Sequence, residues 1–167
     1  PAAVRYDEGI IKKGGNFMNE PFAFYQQSAD YVRARMPFEP QIAVILGSSL
    51  GPFAGQLQDP VEIDYHEIHN FLTSTAPGHA GKLIFGTLAG RRLVGRSGRF
   101  HSYEGYDFEQ LTQPVRLLKL LGVRALIVTN AAGGVNESYR PGDFMLIADQ
   151  IKLNGASPLR GRNVDEF

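Results

Sequence analysis

The sequence predicts an α/β fold with a twisted, mainly parallel central sheet flanked by helices, and three observations carry that reading. Ile42-Ala43-Val44-Ile45-Leu46 and Ala125-Leu126-Ile127-Val128-Thr129 are unbroken apolar runs, too short for helices and typical of strands buried on both faces. Between them Leu111, Val115, Leu118 and Leu121 recur at helical spacing and stop at Gly122. Strand, helix and strand in that order make a parallel βαβ unit. Both apolar runs are therefore expected as central strands, away from solvent-exposed edges.

Taken in order, Pro1 to Phe17 shows neither helical nor strand periodicity, and a Lys-Gly-Gly stretch lies just before Met18. Residues 1–17 read as a non-native or flexible extension and 18–167 as the domain. Asn19 can cap a helix, Pro21 suits its first turn, and Phe22, Tyr25, Ala29 and Val32 share one face of it. Pro37 must follow its end. Val61 to Tyr65 and Lys82 to Leu88 read as strands, the second turning through Ala89-Gly90 into Arg91 to Gly95 as a hairpin. Asp107 and Gln110 have capping-box spacing; Pro114 either kinks the helix or lies in its first turn with Thr112 as cap. Phe144 to Ala148, after the Pro141-Gly142-Asp143 turn, reads as one more strand.

Composition removes several function classes. Seventeen basic residues balance seventeen acidic ones among 167, so any anion site is local, and neither nucleic acid nor an anionic membrane is an expected partner. The absence of cysteine excludes disulfides, thiolate catalysis and cysteine-ligated metals. No apolar run approaches the roughly 20 residues that span a bilayer, so the expected location is cytoplasmic. His66 and His69 are spaced for one helix face without a carboxylate ligand pattern, which reads as a solvated pair rather than a metal site.

Four loops carry candidate chemistry. Gly98-Arg99-Phe100-His101-Ser102-Tyr103-Glu104-Gly105 sets a guanidinium, an imidazole and a phenol between two glycines directly after a short β-like run. Arg99 offers a planar fork of donors that fits two phosphate or carboxylate oxygens. In an extended loop His101 and Tyr103 would share its face. Gly47-Ser48-Ser49-Leu50-Gly51 follows the first apolar strand and suits an oxyanion, although it lacks the pattern of a dinucleotide or Walker loop. Thr73 to Gly81 is a polar loop bearing His79, and Asn130-Ala131-Ala132-Gly133-Gly134 is small enough for a ligand to approach the backbone closely. Read singly, the Arg99 octapeptide is better taken as a solvated surface loop, Gly47 to Gly51 as a turn and Thr73 to Gly81 as a connector, whereas packing alone at Asn130 to Gly134 needs another element over it.

Together, the order and wording of these loops resemble the trimeric, low-molecular-mass purine nucleoside phosphorylases, with methylthioadenosine phosphorylase as near neighbour. The resemblance runs from about Phe22 to Phe167, and Gly-Arg-Phe-His-x-Tyr-Glu-Gly and Thr-Asn-Ala-Ala-Gly-Gly are its specific stretches. The Phe100-His101-Ser102-Tyr103 wording favours the nucleoside enzyme. The resemblance implies a three-layer, nucleoside-phosphorylase-like fold and phosphate binding by Ser48, Arg99 and His101, with His79 beside them and the Ala131 amide completing the cradle. It implies ribose contact by Tyr103 and a nucleoside-facing wall of Asn130, Ala132 and Gly133. It implies no cofactor, inorganic phosphate as co-substrate, a purine nucleoside as partner and a homotrimer at full length.

The sequence also departs from that family. The resemblance implies a further segment carrying the groups that grip the purine and stabilise the leaving base, and Phe167 precedes it, so no catalytic residue is expected here. The chain reads as an amino-terminal portion, with two alternatives: a purine nucleoside phosphorylase of the salvage type, or a truncated, catalytically silent phosphate-binding fragment of that family. An open reading frame continuing past Phe167 favours the first and a stop codon the second.

Overall fold

The first helix forms where apolar spacing demands it. In the computed structural model, which describes residues 22–47, 50–73, 81–153, 155–160 and 163–167, α1 spans Phe22–Arg33 and buries Tyr25, Ser28, Ala29 and Val32. It ends before Pro37, as expected; Asn19 and Pro21 lie outside the described residues. There follow β1 (Ile42–Ile45), a 3-10 turn (Gly51–Gln56), β2 (Gln58–Asp64), β3 (Lys82–Leu88), β4 (Arg91–Ser97), α2 (Phe108–Leu120) and β5 (Ala125–Val128). The strands form one mixed sheet in the order β2-β3-β4-β1-β5. Its β2/β3 and β3/β4 pairs are antiparallel, and β4/β1 and β1/β5 are parallel.

Local chemistry accounts for the joints. Leu88 pairs with Arg91, and the intervening Ala89 and Gly90 both adopt positive φ (50° and 72°), the turn whose twist matches a tight hairpin. Asp107 accepts a bond from the Gln110 amide while the Gln110 side chain accepts from the Asp107 amide, so Asp107 caps α2 and Pro114 lies inside the helix. At the other end Gly122 (φ 90°) lets its own amide reach the Lys119 carbonyl and the Val123 amide reach that of Leu118. Those bonds satisfy carbonyls that the helix end would otherwise orphan.

Both faces of the sheet carry apolar clusters. On one face Ala29 and Val32 of α1 and Leu117, Leu118 and Leu121 of the α2 region pack with Tyr65, Phe71, Phe85, Val94 and Phe100. On the other, Val44, Leu46, Leu57, Ile84 and Leu93 lie with Phe53 and Ala54 of the 3-10 turn.

Three expectations are corrected. First, β1 is interior, but β5 is the edge strand, and Leu126, Ile127 and Val128 remain 39%, 50% and 60% exposed. An apolar run reports a need for cover; here β5 pairs only with β1, and the backbone after Thr129 is irregular and exposed. Second, Phe144 to Ala148 forms no strand: it finds no ladder partner, and Phe144 and Leu146 are 96% and 95% exposed. Third, α2 is rotated relative to the simple apolar stripe. Val115 is exposed, while Pro114, Leu117 and the polar Gln110 and Gln113 are buried, because Gln110 completes the cap and Gln113 donates to the Asn70 carbonyl.

The ends of β1 and β5 approach closely at Gly47, where an added Cβ would lie 2.7 Å from the Thr129 carbonyl oxygen. That neighbour is backbone and cannot rotate away. Gly47→Ala should therefore cost about 1–3 kcal/mol, the usual range for overpacking. Gly51→Ala, with no atom within 4 Å of the added carbon, should fall within about 0.5 kcal/mol of the parent. Urea unfolding midpoints of the two variants check this.

Candidate anion site

Parallel pairing brings three strand ends side by side. The Leu46 amide donates to the Arg96 carbonyl (3.0 Å), tying β1 to β4. The Gly47 amide donates to Thr129 Oγ1 (2.9 Å), and that hydroxyl and the Thr129 amide both donate to the Ile45 carbonyl (2.9 and 3.1 Å), tying β1 to β5. The loops after Gly47, Ser97 and Thr129 thus leave the same edge of the sheet. The carboxyl ends of parallel strands are where open α/β sheets place their ligands.

The chain leaves β4 through Gly98 (φ 94°) into Arg99, whose Nε and Nη2 are buried and have no hydrogen-bond partner. Arg96, still within β4, is only 5% exposed, and its Nε and Nη2 are equally unpartnered. Its guanidinium lies over Phe100 (4.9 Å to the ring centre) and Tyr65 (6.0 Å). Among the described residues no ion pair includes either arginine. Burial, then the neighbouring Arg96 charge, pull the Arg99 guanidinium below its usual range. Burial lifts the Tyr65 phenol to about 12 despite the opposing Arg96 charge, and its hydroxyl donates to the Gly98 carbonyl at 3.4 Å. Among the described residues, this edge of the sheet has donors and positive charge without a matching carboxylate.

His101, two residues after Arg99, is fixed by Glu104. The carboxylate Oε1 lies 3.0 Å from His101 Nδ1 and accepts the His101 backbone amide at 2.9 Å, with the Glu104 side chain only 3% exposed. Residues Ser102–Glu104 form a 3-10 turn, so the extended-loop geometry stops at His101. Tyr103 accordingly does not project along a shared face. It stacks on the His101 ring (4.6 Å, 14° between planes) and is 76% exposed.

The remaining expected site residues are less enclosed. Asn130, Ala131, Ala132 and Gly133 follow the Thr129 tie as exposed irregular backbone, with Asn130 Nδ2 donating to the Ala131 carbonyl at 3.2 Å. Ser48 and His79 lie outside the described residues. His66 and His69 diverge: His69 packs edge-on against Tyr31, and His66 gathers with Asp64 and Glu67, their ligand atoms within 4.8 Å of one another. The expected lack of carboxylates near His66 is thus corrected, since β2 delivers Asp64 to the turn that holds Glu67.

Arg96, Glu104, Tyr65 and Thr129 were not singled out by sequence reasoning. Strand parity was the available signal for Arg96, because it shares a face with the buried Val94. For Glu104 it was the three-residue spacing from His101. A separate cleft of about 540 Å³ between α2 and the C-terminal residues, lined by Arg116, Leu159, Arg160 and Phe167 among others, includes none of these groups. Arg116 there is already engaged by the Tyr25 hydroxyl (2.5 Å) and Glu109 (3.5 Å). The unpartnered guanidinium nitrogens among the described residues lie at the strand ends instead.

Residues 41–166 match the sequence profile of the Phosphorylase superfamily. The chain belongs to that superfamily. It is 51% identical over 138 residues to purine nucleoside phosphorylase 1 of Geobacillus stearothermophilus, covering 83% of this chain and 50% of that protein. It is 51% identical over 146 residues to purine nucleoside phosphorylase of Rattus norvegicus, covering 86% and 50%. A crystal structure of isoform 2 of the Schistosoma mansoni enzyme, in complex with cytosine and ribose-1-phosphate, superimposes with a TM-score of 0.80 at 40% identity, covering 87% of this chain and 52% of that one. The chain thus spans about half the length of the curated relatives it matches. Among its described residues no helix is long and apolar enough to cross a membrane.

The raised Tyr65 phenol has a defined consequence for this superfamily member. Its neutral form is favoured in the folded state, so above pH 10 the unfolded chain loses that proton first and stability falls until about pH 12. A two-unit difference corresponds to at most about 3 kcal/mol. Tyr65→Phe should lose the hydroxyl's bond to Gly98 near neutrality and show a shallower alkaline decline. Urea unfolding of both proteins at a series of alkaline pH values measures the difference.

Proposed function

We propose that this chain serves purine nucleoside phosphorolysis: a purine (2'-deoxy)ribonucleoside and inorganic phosphate give the free base and (deoxy)ribose 1-phosphate. The observation that carries this reading is the pair of buried, unpartnered Arg99 nitrogens at the carboxyl edge of β4-β1-β5. The purine nucleoside phosphorylases that it resembles at about half identity support the substrate class. It is thereby a pentosyltransferase of purine salvage, with inorganic phosphate as co-substrate and no cofactor. Its proposed location is cytoplasmic, and its assembled form at full length a homotrimer.

Each role follows from chemistry. Arg99 holds two phosphate oxygens in its fork, and His101, oriented by Glu104, Ser48, His79 and the Ala131 amide complete the cradle. A phosphate oxygen held there forms a bond to the anomeric carbon as the bond to the purine nitrogen breaks, and the departing base takes up a proton. Positioning and electrostatic stabilisation supply most of the rate in such a displacement. Tyr103 meets the ribose and Asn130, Ala132 and Gly133 the nucleoside. A second reading, a phosphate-binding but catalytically silent chain, is favoured by the exposure of Asn130 to Gly133, which leaves the nucleoside side without cover.

Calorimetric titration with inorganic phosphate, together with an inosine phosphorolysis assay on the same chain, separates the two. Phosphate binding with turnover supports the first reading; binding without turnover supports the second. In either case Arg99→Lys keeps the charge but loses an oriented bond, and phosphate affinity should fall roughly tenfold to a hundredfold. Ser48→Ala should fall less, and Tyr103→Phe should leave phosphate affinity nearly intact. Unchanged phosphate binding in Arg99→Lys would remove the basis of this assignment.

A further inference from the structure

We propose that Arg96 is a second cation of the same site, making it a two-guanidinium seat for a dianionic phosphate. This rests on the phosphate reading of Arg99 and adds a residue to it. The observations concern four nitrogens: Nε and Nη2 of Arg96 and of Arg99, all buried and all without a partner. Arg96 is the more deeply placed, at 5% exposure, and lies within β4 rather than on the loop.

A cation so placed needs a reason. Taking an ion out of water is costly unless it is paired and hydrogen-bonded. Phe100 and Tyr65 offer ring faces and one phenol oxygen, and Nε and Nη2 still lack a partner. Other arginines of this chain do find carboxylates, as Arg33 does on Asp30 and the half-buried Arg116 on Glu109. Arg96 and Arg99 instead sit near enough for mutual repulsion, with no described carboxylate paired to either. A ligand with two negative charges and several acceptor oxygens satisfies both demands at once. A monoanion satisfies one.

Geometry supports the shared site. The Arg96 carbonyl accepts the Leu46 amide, so the residue is fixed to the end of β1, next to the Gly47 to Thr129 tie. Phe100, directly after Arg99, packs against Tyr65 (5.6 Å) and Phe71 (5.9 Å) and also forms the surface beneath the Arg96 guanidinium. The aromatic cluster that carries the Arg96 guanidinium thus includes the residue directly after Arg99.

The test is calorimetric titration of the full chain with inorganic phosphate, at one alkaline pH where phosphate is dianionic, and with nitrate as a monoanionic probe. The proteins are the parent, Arg96→Met, Arg96→Lys and Arg99→Lys. Arg96→Met should weaken phosphate by about tenfold or more while changing nitrate much less, lowering selectivity for the dianion. Arg96→Lys should recover part of that selectivity, which a packing role would not predict, and it remains informative should Arg96→Met fail to fold. If Arg96→Met folds and keeps the parent's phosphate affinity and selectivity while Arg99→Lys loses affinity, the inference fails and the phosphate reading stands. An Arg96→Lys protein indistinguishable from a non-binding Arg96→Met likewise removes the charge argument. If Arg99→Lys also binds normally, the phosphate reading itself fails.

Discussion

Everything at the candidate site depends on β1 being held at its carboxyl end from both sides. Five residues make the connection: Leu46 to Arg96 on one side, Gly47 and Ile45 to Thr129 on the other. A strand in the middle of a parallel set has ladder partners along its length, but its last residues would ordinarily fray into loops. Here the Thr129 hydroxyl both accepts from Gly47 and donates to Ile45, so one side chain extends the β1/β5 ladder past its formal end. The absence of a side chain at Gly47 permits the approach. Three loops from distant parts of the sequence consequently start within one small region, which is the geometric precondition for any shared ligand.

Set against that rigid edge is an electrostatic imbalance. The chain is neutral overall, so its field does not draw anions in general. What it has is two guanidiniums without an acid partner among the described residues; Arg96 lies over Phe100 and Tyr65, and the Tyr65 phenol is its one aromatic hydrogen-bonding neighbour, while Nε and Nη2 of both arginines stay unpartnered. Low polarity strengthens attraction to a bound anion and worsens repulsion in its absence. The His101–Glu104 pair contributes differently. There a carboxylate orients an imidazole, with Glu104 Oε1 3.0 Å from His101 Nδ1.

Much of the fold was legible because it follows from local rules. The α1 face, β3, the Ala89-Gly90 hairpin, the Asp107 cap and the Gly122 stop each depend on residues within a few positions of one another. What was not legible depends on partners far along the chain. The exposure of β5, the unpaired Phe144 to Ala148 and the rotation of α2 are all decided by which distant segment packs where. The same division holds at the site: Arg99 and His101 advertise themselves between glycines, whereas Arg96 hides inside a strand pattern and shows its character only once Tyr65 and Phe100 are placed beneath it.

The two sides of the site are unequal in preparation. On the anion side Arg96, Glu104 and the aromatic cluster are already buried and packed together, with Arg99 half-buried next to them, so binding there orders less than on an open surface. On the side of Asn130 to Gly133 and Tyr103 the groups are exposed, and their ordering would be charged to whatever binds. Under the proposed function, phosphate would meet the more enclosed side of the site and the nucleoside the exposed side next to β5. That asymmetry follows from where the packing lies: the sheet is closed by α1 and α2 behind β4 and β1, and open beside β5.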